Sequence, residues 1–326
     1  MDKLVLVLTD KFDVHADKVI DKLLKYNINV FRLDLDVESL RDTIITSKNG
    51  IWDIHNKYGN VSSSDIDAIF LRRAFVELLL DEYDITDTGF KIWKGEWNKV
   101  LLGLYTNLKD KPWINKLRNS QIAENKFYQH NIAIDCGFIL PKQIVSNNIT
   151  EIESFIHNNG TCVVKALSQE FYREGAEIFK GIYVNKITID DLKNFSDSEN
   201  PITIQKYYDK QYEVRYTIIG NEHFVCKIDS QKSKISNVDW RRYDLANTPH
   251  LAIIPRDEIK FKVSRLMQML GLSYGALDFI VTNENEWIFL EINPLGQWLW
   301  IEDLTDLDIS GGIVRLFMKL LNVGRS

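Results

Sequence analysis

Three cysteines in 326 residues, Cys136, Cys162 and Cys226, are too few and too widely separated for a disulfide framework or a zinc knuckle, and their number is odd. The six histidines show no HExxH or other metal spacing, and there is no GxSxG elbow, so zinc proteases and serine hydrolases of those patterns are excluded. No uninterrupted apolar run reaches the roughly 18 residues that a membrane span needs, and no charged start leads into an apolar stretch with a small-residue cleavage site. Basic residues do not dominate either. Forty Lys and Arg against 46 Asp and Glu leave a net charge of −6, the wrong sign for a surface built to follow a nucleic-acid backbone. The expectation is a soluble, cytoplasmic protein with neither membrane nor nucleic acid as partner.

What is present is an ordinary globular mixture, 45% hydrophobic and 26% charged. At roughly 100–200 residues per domain, the length predicts two or three packed units. The run Lys3-Leu-Val-Leu-Val-Leu8 reads as a buried parallel strand, 13–26 as an amphipathic helix and 29–35 as the next strand. No GxGxxG joins them, which argues against a dinucleotide site. A strand over 66–71 ending in Arg72-Arg73 and a long helix over 90–108 complete an N-terminal α/β domain, placed at 1–112.

A helix is predicted over 120–136, stopped by Gly137 and Pro141, then a strand over 139–145. Thr150-Glu-Ile-Glu153 reads as a capping box opening a helix to about 157, and 161–167 as a β-branched strand carrying Lys165. Strands follow over 202–208, 213–219 and 223–228, the last two joined at Gly220-Asn221. A helix over 257–270 capped by Gly271 leads into a final hairpin, 276–281 and 287–293. These elements divide into a central lobe, 113–203, and a C-terminal lobe, 204–326.

The final hairpin carries the chemistry. Strict alternation along Trp287-Ile-Phe-Leu-Glu-Ile-Asn293 puts Trp287, Phe289, Glu291 and Asn293 on one face, so a carboxylate interrupts an apolar strand. A hairpin turning symmetrically at Glu284-Asn285 sets Asp278 opposite Glu291, and directly paired residues have Cβ atoms only about 4.5–5.5 Å apart. Like charges that close need neutralising. A divalent cation is the expected agent, and two carboxylates with the Asn293 amide are the oxygen donors a hard ion such as Mg²⁺ prefers. Solvent-facing acids are the commoner case in strands, but Asp278 and Glu291 are flanked by residues that favour burial. For anionic phosphates the cations to hand are Lys126 on a helix, Lys165 in an apolar strand, Arg215 within Glu213-Val-Arg215, and Arg241 after Asp239-Trp240.

Taken in order, Lys126, Lys165, Thr203-Ile-Gln-Lys-Tyr-Tyr-Asp209, Glu213-Val-Arg215, Asp278-Phe-Ile-Val and Phe289-Leu-Glu-Ile-Asn-Pro-Leu-Gly296 resemble the ATP-grasp ligases. From Arg72-Arg73 through Leu167-Ser-Gln169, Asp229-Ser-Gln231, Asp239-Trp-Arg241 and Gly296-Gln-Trp-Leu-Trp300, the chain is similar to the microviridin-type graspetide ligases, which cyclise ribosomally made precursor peptides. The resemblance implies an α/β (α+β) ATP-grasp fold of three lobes with an N-terminal pre-ATP-grasp domain, ATP and Mg²⁺ as cofactors, a precursor peptide (leader plus core) as partner, and a homodimer. It makes Lys126 and Lys165 phosphate and adenine-side contacts, Gln205, Lys206 and Tyr208 the adenine hinge, and Asp209 a ribose contact. Asp278, Glu291 and Asn293 become magnesium ligands, and Arg215 sits beside the transferring phosphoryl group with Lys165 and Arg241. Two departures stand out: 168–181 holds only Gly175 and Gly181 where many ATP-grasp enzymes have a glycine-rich loop, and Lys206 replaces a commonly acidic hinge residue.

The implied reaction joins Asp or Glu carboxylates to Thr or Ser hydroxyls through an acylphosphate, with Lys-derived lactams as the alternative product. The segment 171–194, aromatic and charged, reads equally as a peptide-recognition element and as an ordinary surface lobe. Two rivals remain open: a ligase adding a free amino acid to a peptide or protein terminus, and a non-catalytic nucleotide-binding scaffold. The Asp, Glu and Asn trio argues against the scaffold.

Overall fold

The structure is a computed structural model that describes residues 3–79, 81–83, 85–165, 167, 171–174, 178–181, 184–194, 200–232 and 248–323; within these, 171–174, 178–181 and 194 are described by their backbone alone. The N-terminal part comprises β1 (Leu4–Thr9), α1 (Val14–Lys25), β2 (Asn29–Asp34), α2 (Val37–Arg41), β3 (Ile44–Lys48), β4 (Ile51–Asn56), β5 (Gly59–Ser62), β6 (Ala68–Leu71), α3 (Thr88–Asn107) and β7 (Trp113–Ile114). β2, β1, β6 and β7 lie in that order as a parallel sheet. The continuous apolar run of β1 is thereby buried on both faces, as strands in a covered parallel sheet must be. Asp13 starts α1 by accepting the backbone N–H groups of His15 and Ala16. The antiparallel β3–β4–β5 sheet has no counterpart in the sequence reading.

Next come α4 (Leu117–Glu124), α5 (Lys126–Asp135), β8 (Gln143–Ser146), α6 (Ile149–Asn159), β9 (Cys162–Lys165), β10 (Phe171–Glu174), β11 (Ile178–Gly181), β12 (Asn185–Ile187) and β13 (Ile202–Lys206). The helix expected over 120–136 is two helices. Asn125, extended at φ −69° and ψ 112°, ends α4 and caps α5 by accepting the Tyr128 N–H. Lys126 is therefore the first residue of a fresh helix. Gly137 stops α5 at φ +80°, as its sequence position predicts. The strand expected from 139 begins at Gln143, because Ile139 instead bridges Ile288. The capping residue of α6 is Asn148, not Thr150.

The C-terminal part holds β14 (Lys210–Ile219), β15 (Glu222–Ile228), β16 (His250–Ala252), α7 (Asp257–Leu270), β17 (Tyr274–Thr282), β18 (Trp287–Asn293), α8 (Leu299–Thr305) and α9 (Ile309–Leu321). Its five-stranded sheet runs β16-β15-β14-β17-β18, and the central sheet runs β12-β9-β13-β8. β7 pairs with β6, so the N-terminal sheet continues past the expected position 112/113, and β13, wholly in the central sheet, spans the expected position 203/204. One face of the five-stranded sheet packs on α5 and α7 through Val214, Tyr216, Leu277, Phe279, Phe289 and Ile292. Part of the other face meets α8, α9 and β1 through Phe224, Cys226, Ile228, Trp298 and Phe317. The rest of that face, around Glu213, Arg215, Asp278 and Glu291, is polar. No described helix is long and apolar enough to cross a membrane.

Candidate active site

Asp278 and Glu291 are direct cross-strand partners, as expected, but the backbone reaches that register by another route. The β17–β18 turn is a three-residue loop, 283–285, with Asn285 at φ +60° and the Thr282 N–H donating to the Glu286 carbonyl. That turn pairs Phe279 with Phe289. A register shift after Asp278 then inserts Leu290 as an extra residue and brings Glu291 opposite Asp278. The expected face assignment is overturned for the same reason. Phe289 points with Phe279 into the apolar core, whereas Glu291 points with Asp278 to the opposite, polar face.

The two carboxylates are each met by a protein cation, which strict like-charge reasoning did not anticipate. Arg215, paired with Asp278 across β14 and β17, donates from Nη1 to both carboxylate oxygens at 2.9 and 3.1 Å. Both residues are buried, at 7% and 6% exposure. Burial works against the guanidinium charge, and Asp278 more than restores it, raising the Arg215 pKa. Lys126 donates from Nζ to Glu291 Oε2 at 2.6 Å. Asn293 shares the polar face of β18 with Glu291, is exposed, and its Oδ1 accepts the Leu295 N–H at 2.9 Å.

Helix α5 grips three consecutive residues of β18, the edge strand of the sheet. Besides Lys126 on the Glu291 side chain, Gln129 brackets Ile292, donating to its carbonyl at 2.8 Å and accepting its N–H at 3.0 Å. His130 Nε2 lies 3.1 Å from the Leu290 carbonyl. A helix thus satisfies the edge that a sixth strand would otherwise cover. Burial lowers the His130 pKa, keeping the ring neutral. Gln129 and His130 were not singled out in the sequence, where polar residues on a helix read as a solvated face.

Lys165 ends β9 half-buried, opposite Thr203. Gln205 is buried on the same face of β13 as Thr203, and donates from Nε2 to Gln143 Oε1 at 3.3 Å. Lys206 points to the opposite, α6 side, with Nζ 5.4 Å from the Tyr208 ring. The backbone N–H groups of Lys206 and Tyr207 already donate to the Lys142 and Thr161 carbonyls. Tyr208 accepts the Lys142 N–H at its hydroxyl, and Asp209 is exposed. Deeper in, Lys210 and Glu213 form a buried ion pair on β14 that sequence reasoning left out of the site. Arg241 lies outside the described residues with the rest of the segment 239–241, as do 175–177 and 182–183 of the candidate recognition segment 171–194, whose strands β10 and β11 are described by their backbone alone. The arrangement therefore brings together two ion pairs, Lys126 with Glu291 and Arg215 with Asp278, through the cross-strand register of the carboxylates, with Lys165 and Gln205 on the face of the central sheet away from α6.

The N-terminal sheet holds the loop that follows β18. Arg72, 2% exposed, donates from Nε to Asp13 Oδ2 at 2.9 Å and from Nη1 to the Leu295 carbonyl at 3.0 Å, and lies 4.7 Å from the Trp298 ring. Tyr274 donates to the Gly296 carbonyl at 2.7 Å, and Arg215 Nη2 to that of Gln297 at 3.3 Å. Gly296 is required by space: a Cβ there would stand 2.6 Å from Ala276 Cβ and 3.2 Å from Arg215 Nη2.

No protein-family model and no curated protein matches the chain. Solved structures do. A Chryseobacterium gregarium RiPP-associated ATP-grasp ligase, solved with ADP and a leader and core peptide, superposes at a TM-score of 0.85 with 25% identity over 97% of each chain. The macrocyclase MdnC of Microcystis aeruginosa MRC, bound with precursor peptide MdnA, gives 0.83 and 26% over 97% of this chain and 99% of that one. MdnB, a macrocyclase of the same organism, gives 0.77 and 25% over 99% and 100%. The fold and the likeness over nearly the whole chain are those of an ATP-grasp ligase. Within that class, the structures it matches over nearly the full chain are RiPP ATP-grasp ligases and macrocyclases, a likeness that supports a ligase of the graspetide type.

Proposed function

We propose that this ligase cyclises a ribosomally made precursor peptide at the expense of ATP, joining Asp or Glu side-chain carboxylates to Thr or Ser hydroxyls. The observation that carries the reading is the paired Asp278 and Glu291, flanked by Arg215 and Lys126, in a chain aligned end to end with ligases solved on leader, core and precursor peptides. The donor set fits Mg²⁺: Asp278, Glu291 and Asn293 offer only oxygen and amide groups from one face, and a carboxylate oxygen that accepts one hydrogen bond keeps a further lone pair. Among the described residues no cluster of three or more His, Cys, Asp or Glu offers a softer site. Magnesium held there supplies charge neutralisation for the ATP phosphates.

In the reaction, a peptide carboxylate oxygen attacks the γ-phosphorus of ATP and the bond to the β,γ-bridging oxygen breaks, giving an acylphosphate and ADP. A hydroxyl of the same peptide then attacks the acyl carbon, loses its proton and expels inorganic phosphate. Lys165 and Arg215 supply positive charge to the phosphoryl oxygens, with Arg241 as a third cation from outside the described residues. Arg215 can do so without searching, because Asp278 fixes its guanidinium in the sheet. Gln205, Tyr208 and Asp209 form the nucleotide side together with Lys126, and Lys206, whose side chain points to the α6 side, joins it through its backbone alone. No nucleophile of the enzyme is needed.

Glu291→Gln should abolish ATP-dependent water loss from a co-expressed precursor, read by mass spectrometry, while the circular dichroism spectrum stays wild type. Wild-type turnover would sink the assignment. Mild base should open the rings; resistance to base would point to lactams, and dependence on an added amino acid to a terminal ligase.

A further inference from the structure

A line of side chains runs from the central sheet to the bulge in β18. Gln205 on β13 donates from Nε2 to Gln143 Oε1 on β8 at 3.3 Å. The Gln143 Nε2 lies 2.9 Å from His130 Nδ1, and His130 Nε2 lies 3.1 Å from the Leu290 carbonyl. The line has one consistent direction. A carbonyl can only accept, so the His130 Nε2 carries hydrogen; an amide nitrogen can only donate, so Nδ1 is the acceptor. The ring also stands edge-on to Phe289, at 6.3 Å and 80°, so it touches both residues where the extra one enters the strand.

That contact point matters because the bulge alone turns Glu291 to the side of Asp278. Without Leu290 as the inserted residue, the register set by the turn would leave Glu291 in the apolar core. We infer that His130 is a positioning residue: fixed as the Nε2–H tautomer by Gln143 and Gln205, it pins the Leu290 carbonyl and so sets the direction in which Glu291 leaves the strand. The relay ties Glu291 to β13, which also carries Gln205 toward the nucleotide side. This rests on the reading of Glu291 as a magnesium ligand, and it adds an outer residue whose loss costs metal affinity rather than folding.

The test uses the full chain with His130→Ala, His130→Gln and Gln143→Leu. Nitrogen-15 NMR of the histidine side chains in the wild type should show His130 Nδ1 unprotonated and Nε2 protonated at neutral pH. His130→Ala should raise the Mg²⁺ concentration for half-maximal ADP binding, followed by calorimetry, about tenfold. His130→Gln, which keeps an amide donor, should recover most of it, and Gln143→Leu should mix the tautomers and give a smaller rise. A protonated Nδ1 in the wild type, or unchanged Mg²⁺ dependence in His130→Ala beside a dead Glu291→Gln, would overturn the positioning role alone. An active Glu291→Gln would instead overturn the metal reading on which it stands.

Discussion

The two antiparallel sheets that carry the candidate site residues are built to different standards. The C-terminal sheet has β14, β17 and β18 buried along most of their length, with α5 and α7 on one face and α8 and α9 on part of the other. Among the described residues the central sheet rests on a small cluster, Ile152, Ile156, Cys162, Ile187, Leu192 and Ile204, backed by α6. The sheet that orients two carboxylates against two cations is thus the firmly anchored one, and the sheet that offers Lys165 and Gln205 is lightly held. Charge placement needs rigidity, because a buried ion pair repays its desolvation only in good geometry. A surface that must admit a nucleotide needs the reverse, and low-stability elements are where such motion is found.

The sharpest way to break this contrast is to remove a charge from the firm sheet. Arg215→Ala leaves Asp278 buried without its guanidinium, and losing one partner of a buried pair costs roughly 3–5 kcal/mol. The whole chain should melt at lower temperature, because β14 lies at the centre of the sheet. An unchanged melting temperature would mean that Asp278 is not truly held by Arg215.

Next in size is a cavity in the lightly held sheet. Ile204→Ala empties a fully buried position of β13, at a cost of roughly 3 kcal/mol. Most of it should surface locally, as faster amide hydrogen exchange in β8, β9 and β13 with little change in β14 and β17. Uniform acceleration through both sheets would show that they unfold as one unit.

A third contrast is set by pH at the joint between the N-terminal sheet and the Trp298 loop. Burial first, then repulsion from Arg72, lowers the His15 pKa to about 4, while its ring lies 4.6 Å from that of Trp298. Between pH 6.5 and 4 the unfolded chain binds the proton that the folded chain refuses, so stability falls as the solution is acidified through that window and is flat for this group below it. The swing is on the order of 2 kcal/mol after allowing for solvent screening. His15→Asn should flatten the melting temperature across that window. Asp13 acts lower: burial would raise its pKa, but Arg72 overrides this and holds it at about 2, so its share is lost only below pH 4.

How much of this could be read beforehand follows from the length of chain over which each interaction is decided. Asp278 and Glu291 were legible because a carboxylate in an apolar alternation is a local anomaly. Their pairing was reached through two departures that cancel, a longer turn and the extra Leu290, and nothing about a leucine announces a bulge. The cations that meet them were named but assigned elsewhere, since Lys126 finds Glu291 across 165 positions and only the fold brings them together. Helix α7 and its Gly271 stop were readable from periodicity and a left-handed cap, at φ +64°. The break at Asn125 was not, because an asparagine inside an amphipathic pattern reads as tolerated.

The same kind of local competition gives the smallest and most discriminating test, at the start of α6. Thr150-Glu-Ile-Glu153 has the spacing of a capping box, yet the helix begins two residues earlier, with Asn148 Oδ1 accepting the Thr150 and Glu151 N–H groups at 2.9 and 3.3 Å. Asparagine is as good a cap as threonine or better, so the earlier start gains helical residues without losing a cap. Asn148→Ala should therefore cost about 1 kcal/mol, while Thr150→Ala, inside the first turn, should stay within about 0.5 kcal/mol. Because α6 packs in the cluster of the central sheet, the Asn148 effect should appear as faster exchange in α6 and β9 and leave the melting of the C-terminal sheet in place. Equal effects of the two alanines would restore the capping box, and a shared fall in both sheets would remove the difference in anchoring between them.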